Sequence, residues 1–149
     1  MIPAHTTDGY LPQGIHSATW TEFTARFVTT ARRAAIVDRV LPALSHLADC
    51  GCPAVLVAGS FVTAKDAPAD IDVLWSDRGV DFDQLSDMFT TLEGLEYMKR
   101  TLGADIIPAY LTEAASGLPF PAFFQLRKDG RGLCGVVALD LTTMPRSDP

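Results

Sequence analysis

The sequence predicts an α+β domain, a small mixed α/β sheet with helices mainly on one face. Three observations lead there. Amphipathic helical spacing dominates the first third of the chain, short apolar runs bounded by turn residues follow as strands, and helix and strand patterns then alternate. With 149 residues, 48% of them hydrophobic and 20% charged, the chain has the balance of an ordinary soluble globule and enough length for one core.

The first 16 residues are rich in Pro, Gly and Thr and are expected to wrap the surface as an extended arm, with residues 17–149 forming a single domain. Thr19-Trp20-Thr21-Glu22 has the form of a capping box, in which the threonine and glutamate side chains satisfy each other's backbone N–H groups. It opens a helix with Phe23 and Phe27 on one face. Ile36, Val37, Val40, Leu41, Leu44 and Leu47 recur at three- and four-residue steps and predict a second helix. Pro42 is expected to kink or split it, since proline lacks an N–H and crowds the preceding turn. Gly51 and Pro53 end that helix, and Ala54 to Ala58 reads as a buried strand.

Asp70 to Trp75 is the next strand. Phe82, Leu85, Phe89, Leu92, Leu95 and Met98 predict a helix packed on the sheet, weakened at Gly94. Asp81 and Asp83 fall at its N-terminus, where carboxylates favour the helix dipole. Asp105 to Ala109 forms a third strand, kept short or at an edge by Pro108. Phe120, Phe123 and Phe124 are expected to cap the core. An Asp129-Gly130 turn then leads to a last strand from Val136 to Leu141.

Charge and cysteine usage narrow the function classes. A formal net charge of −6 argues against broad DNA binding, whose affinity rests on basic contacts to phosphate. Arg26, Arg32, Arg33 and Arg39 gather in one helical region, and Arg127, Lys128 and Arg131 in one turn; both groups read first as solvated faces and second as holds for a polynucleotide or protein acceptor. There is no run of about 18 apolar residues to predict a membrane span, and Met1 to Asp8 has neither the basic nor the apolar region of a secretory signal. Cys50, Cys52 and Cys134 are odd in number, and Cys50-Gly51-Cys52 has the wrong spacing for a zinc knuckle or redox pair, so reduced thiols in a cytoplasmic protein are expected. His5, His16 and His46 show no metal-ligand spacing.

The chemistry concentrates between Val55 and Trp75. An apolar run delivers Gly59-Ser60 at a turn, and a second apolar run carries Asp70 and Asp72. Alternate residues of a strand share a face, so both carboxylates enter one small volume. At about 4 Å and an effective dielectric near 20, two like charges repel by about 4 kcal/mol. A hard divalent cation relieves that repulsion, and Mg²⁺ (or Mn²⁺) is held by one or two carboxylates, waters and substrate phosphates. Gly59 lets backbone approach a ligand without a Cβ clash. Ser60, opening a helix, offers its hydroxyl and free N–H groups to an anion. A nucleoside triphosphate is then expected between turn and metal. Spacing alone is weak evidence, because the chain holds 14 Asp and a second pair at Asp81 and Asp83; the upstream Gly-Ser gives the first pair its meaning.

Ala58-Gly59-Ser60 followed by Asp70-Ile71-Asp72-Val73 resembles the signature of the DNA polymerase β-like nucleotidyltransferase superfamily. Leu11 to His16, Gly59 to Lys65 and Val136 to Leu141 are further similar to a group of small bacterial and phage-type proteins placed in that superfamily without an agreed function. The resemblance implies a minimal nucleotidyltransferase core and a third carboxylate on a later strand, which binds the catalytic metal and accepts the proton of the attacking hydroxyl. Asp105 is the natural candidate and Asp140 the competitor. Small antitoxin-type relatives commonly carry an arginine and a glycine soon after Gly-Ser, whereas this chain has Phe61-Val62-Thr63-Ala64-Lys65, leaving Lys65 to offer a point charge to phosphate.

The expectation is an Mg²⁺-dependent transfer of a nucleoside monophosphate from a triphosphate to an unidentified hydroxyl acceptor on RNA or protein, such as a toxin partner. Asp70, Asp72 and Asp105 are its catalytic and metal residues; Gly59, Ser60 and Lys65 bind the nucleotide. The alternative is a non-catalytic nucleotide-binding or antitoxin-like regulatory protein on the same fold. A metal-dependent nuclease using the same carboxylates is a third reading.

Overall fold

Thr19 closes its capping box. Its Oγ1 accepts from the Glu22 amide at 3.2 Å, and Glu22 Oε1 accepts from the Thr19 amide at 3.0 Å. In the computed structural model, which describes residues 1–145, this cap opens helix α1 (Trp20–Phe27) with Phe23 and Phe27 buried. The last four residues of the domain expected over 17–149 lie outside the described residues. Helix α2 (Ala31–Asp49) follows, capped by Thr30. It runs through Pro42 without splitting, because burial of Val37, Val40, Leu44 and Leu47 along one side outweighs one missing backbone hydrogen bond.

The arm expected over residues 1–16 ends differently from its reading. Gly14 begins strand β1 (Gly14–Ala18), which pairs in parallel with β5 (Gly135–Asp140) near the other end of the chain. Between them in sequence lie β2 (Ala54–Ala58), β3 (Ile71–Trp75) and β4 (Ala104–Pro108). The five strands form one mixed sheet in the order β1-β5-β2-β3-β4, so Pro108 does lie on an edge strand. Alternate pleats of the sheet do different work. Val55, Val57, Ile71, Val73, Trp75, Ala104, Ile106, Val137 and Leu139 pack into the helical core, and the other pleat carries Ala58, Asp72 and Asp105.

The helix expected from Phe82 begins only at Leu92. Asp81 Oδ1 instead accepts from the Asp83 amide at 3.0 Å, making a turn of the kind with which short polar side chains compete against helix. A 3-10 turn at Asp87–Phe89 precedes α3 (Leu92–Leu102), which Thr91 caps and Gly103 ends in the left-handed region at φ 65°. Helix α4 (Phe120–Phe123) is a single turn. Phe120, Phe123 and Phe124 pack on one another, with ring centroids 5.3–6.1 Å apart, but stay outside the buried core they were expected to cap. All three cysteines are free thiols. Among the described residues no helix is long and apolar enough to cross a membrane.

Candidate functional site

Register brings the carboxylates together. Asp72 on β3 lies directly across from Asp105 on the parallel neighbour β4, and Asp70 immediately precedes β3. Each offers one oxygen, and these oxygens all lie within 4.8 Å of one another. Asp72 is only 6% exposed. Burial first, then the negative charges of Asp70 and Asp105, push its pKa up to about 7, while Lys128 works in the opposite direction. Lys99 Nζ, from α3, lies 3.4 Å from Asp105 Oδ1. Asp140, the competitor for the third place, is occupied elsewhere: its Oδ1 accepts from the Thr142 amide at 2.9 Å and from the Thr142 hydroxyl at 2.6 Å.

Gly59 meets this cluster from the end of β2. Its φ is 73°, and a Cβ built there would collide with Asp72 Oδ2, so the position needs glycine both for its conformation and for its closeness to the carboxylate. Ser60 does not head a helix as expected. The chain makes one 3-10 turn, Gly59–Val62, because Thr63 doubles back on Ser60 O, donating from its amide at 3.1 Å and from its hydroxyl at 2.6 Å.

Beside the cluster opens a cavity of about 830 Å³, within the range of small-molecule sites. Gly59, Ser60, Lys65 and Asp70 all line it, so every nucleotide-binding residue expected from the sequence borders it, and Asp70 joins it to the other two carboxylates. Phe123, Phe124, Leu126, Arg127 and Lys128 line it as a second segment. Residues Asp8 to Leu11 of the arm form a third wall, tied down at two points. Ala64 N donates to Gly9 O at 2.9 Å, and Arg127 donates to Asp8 Oδ2 at 3.0 Å. Arg127 also donates to Asp129 Oδ2 at 2.7 Å and lies 4.2 Å above the Tyr10 ring. Those two carboxylates raise its pKa above the ordinary arginine value, and the residue is part of a wall, not of a solvated face.

Arg33 is the residue that the sequence reading missed. Expected on a solvated face, it is 4% exposed. Its guanidinium donates to the carbonyls of Phe27 at 3.1 Å, Phe61 at 2.6 Å, Thr63 at 2.9 Å and Lys65 at 2.7 Å. One signal did exist. Arg33 precedes Ile36 and Val37 by three and four residues, which places it on the apolar stripe of α2.

The chain belongs to a family of unknown function (DUF6932), whose model matches residues 3–140. Among curated proteins and solved structures, none matches the chain.

Proposed function

We propose that this member of a family of unknown function moves a nucleoside monophosphate from an Mg²⁺-bound (or Mn²⁺-bound) triphosphate to a hydroxyl of an RNA or protein acceptor. One observation carries the reading: oxygens of Asp70, Asp72 and Asp105 converge within 4.8 Å beside a cavity bordered by Gly59, Ser60, Lys65 and Lys128. The donor set fits a hard divalent cation, being all oxygen, and burial together with the neighbouring carboxylates lets Asp72 hold a proton up to about pH 7. An ion bound there supplies Lewis-acid charge neutralisation to the phosphates.

The residues of the chain divide the remaining work. Asp70 and Asp72 hold the cation at the edge of the cavity, and Asp105 accepts the proton of the incoming hydroxyl. Ser60 and Lys65 hold the terminal phosphates, which leave as pyrophosphate. Gly59, having no Cβ, leaves free the space that the Asp72 carboxylate occupies. Phe123 and Phe124, which also line the cavity, give the base an apolar wall. Most of the rate enhancement in such a transfer comes from positioning and charge stabilisation.

A double variant, Asp70→Ala with Asp72→Ala, tests the reading. Calorimetric affinity for Mg²⁺ with ATP or GTP is expected to fall by about tenfold or more while circular dichroism shows an intact fold; unchanged affinity would overturn the assignment. The pairing of Lys99 with Asp105 favours a second reading, triphosphate binding without turnover, since it places a cation on the proposed base. Incubation with α-labelled triphosphates, Mg²⁺ and total RNA or protein separates the two, because only a transferase leaves label on an acceptor.

A further inference from the structure

We infer that Arg33 is the positioning residue of the anion-facing wall of the cavity, holding Ser60 to Lys65 and the arm in place without touching the ligand; the role of that wall rests on the triphosphate reading above. Arg33 stands in the first turn of α2, where Thr30 Oγ1 accepts from its backbone amide at 3.1 Å. One terminal nitrogen donates to Phe27 O and Phe61 O, the other to Thr63 O and Lys65 O. Phe27 O belongs to the last turn of α1 and would otherwise lack a partner within its helix. The other three acceptors are alternate residues of the loop that follows Gly59-Ser60. That loop is wrapped around the guanidinium, which also stacks on Phe61 at 4.9 Å from the ring centroid.

The geometry of the peptide unit extends the effect to the wall formed by the arm. A trans peptide points its N–H away from its C=O. Drawing Thr63 O inward to Arg33 therefore turns the Ala64 N–H outward, and it donates to Gly9 O of the arm at 2.9 Å. One buried side chain thus sets the backbone at Phe61, Thr63 and Lys65 and, through Ala64, the arm at Gly9. Thr63, Ala64, Lys65 and Gly9 all line the cavity. Among the described residues no carboxylate lies within ion-pair distance of Arg33, so carbonyl oxygens are the direct partners of its charge, with Asp66 acting on it from further away. A lysine brings three donors on one atom and cannot reach four diverging carbonyls, which makes Arg33→Lys a test of geometry at constant charge.

The experiment compares wild type with Arg33→Lys in two measurements: amide hydrogen exchange of residues 61–66 without ligand, and calorimetric titration with Mg²⁺ and the non-hydrolysable α,β-methylene analogue of ATP. Exchange in that loop and at Gly9 is expected to rise by about tenfold while β2 and β3 exchange as before, and affinity is expected to fall by about tenfold. A third variant, Lys65→Ala, should lower affinity and leave loop exchange unchanged. Unaltered loop exchange in Arg33→Lys, or a loosened loop that binds the analogue with wild-type affinity, would overturn the inference. If the wild type itself binds no analogue, the triphosphate reading falls, and loop exchange still decides whether Arg33 holds the wall. Should Arg33→Lys fail to fold, nitrogen NMR of the wild type decides: four separate, slowly exchanging guanidinium protons support the clasp, and one averaged signal overturns it.

Discussion

Asp72 stands where burial and two neighbouring carboxylates all oppose its charge, and its pKa of about 7 has a consequence for stability. The folded protein keeps this proton above the pH at which an ordinary aspartate, with a value of 3.8, has lost it. Between those values the folded state binds more protons than the unfolded one, so the contribution of Asp72 is full below about pH 4 and is lost as pH rises through about 7. A shift of this size is worth on the order of 4 kcal/mol at most. The Tm of the metal-free protein is therefore expected to fall between about pH 5 and pH 8, and an Asp72→Asn variant should lose most of that fall together with any rise in Tm on adding Mg²⁺. A variant whose Tm tracks the wild type across pH would remove Asp72 from this account. Pairing of Asp70 with Asp72 was legible because strand period is local. Arg33 was not, since three of its carbonyl partners lie 28, 30 and 32 residues further along the chain.

Helix and strand bounds followed their local signals where those signals were self-contained. The Thr19 box, the apolar stripe of α2 and the buried run of β2 needed no distant partner to be read. β1 was hidden because Gly14-Ile15-His16-Ser17-Ala18 has little strand character of its own and acquires it by pairing with β5. α3 shows how packing overrides propensity. Alanine exceeds glycine in a helix by about 1 kcal/mol, which on propensity alone would make Gly94→Ala stabilising. In the folded chain a Cβ at Gly94 would collide with the backbone of Met88, in the turn that precedes the helix. Gly94→Ala is therefore expected to destabilise by about 1–3 kcal/mol, as overpacked positions do. Urea denaturation checks the sign, and a variant more stable than wild type would contradict this packing.

For the molecule as a whole, the decisive arrangement is a cavity lined by three segments far apart in sequence: the arm, residues 59–70 and residues 123–135. Cys134 lines it half-buried, whereas Cys50 and Cys52 are buried. Burial raises the Cys134 thiol pKa, so alkylation needs mildly alkaline conditions. At about pH 8.5 iodoacetamide is expected to modify Cys134 first, and saturating Mg²⁺ with ATP should slow that reaction by about fivefold or more. Equal rates with and without nucleotide would place any ligand outside the cavity. This enclosure was not legible beforehand, because parallel pairing of β1 with β5 and of β3 with β4 depends on contacts that no local spacing encodes.

Adjacency of β1 and β5 also governs how the chain must assemble. Leu11 O accepts from the Gly135 amide at 3.0 Å, so the end of the arm next to β1 is not seated until β5 exists. On the ribosome, α1, α2 and the antiparallel pair β2 and β3 can form while the C-terminal part is still being made, but Gly14–Ala18 must wait for residues 135–140 to emerge. Such long loop closures are slow steps. The cavity walls are thus completed late, and a nascent chain carries its acidic cluster before it has the walls that go with it.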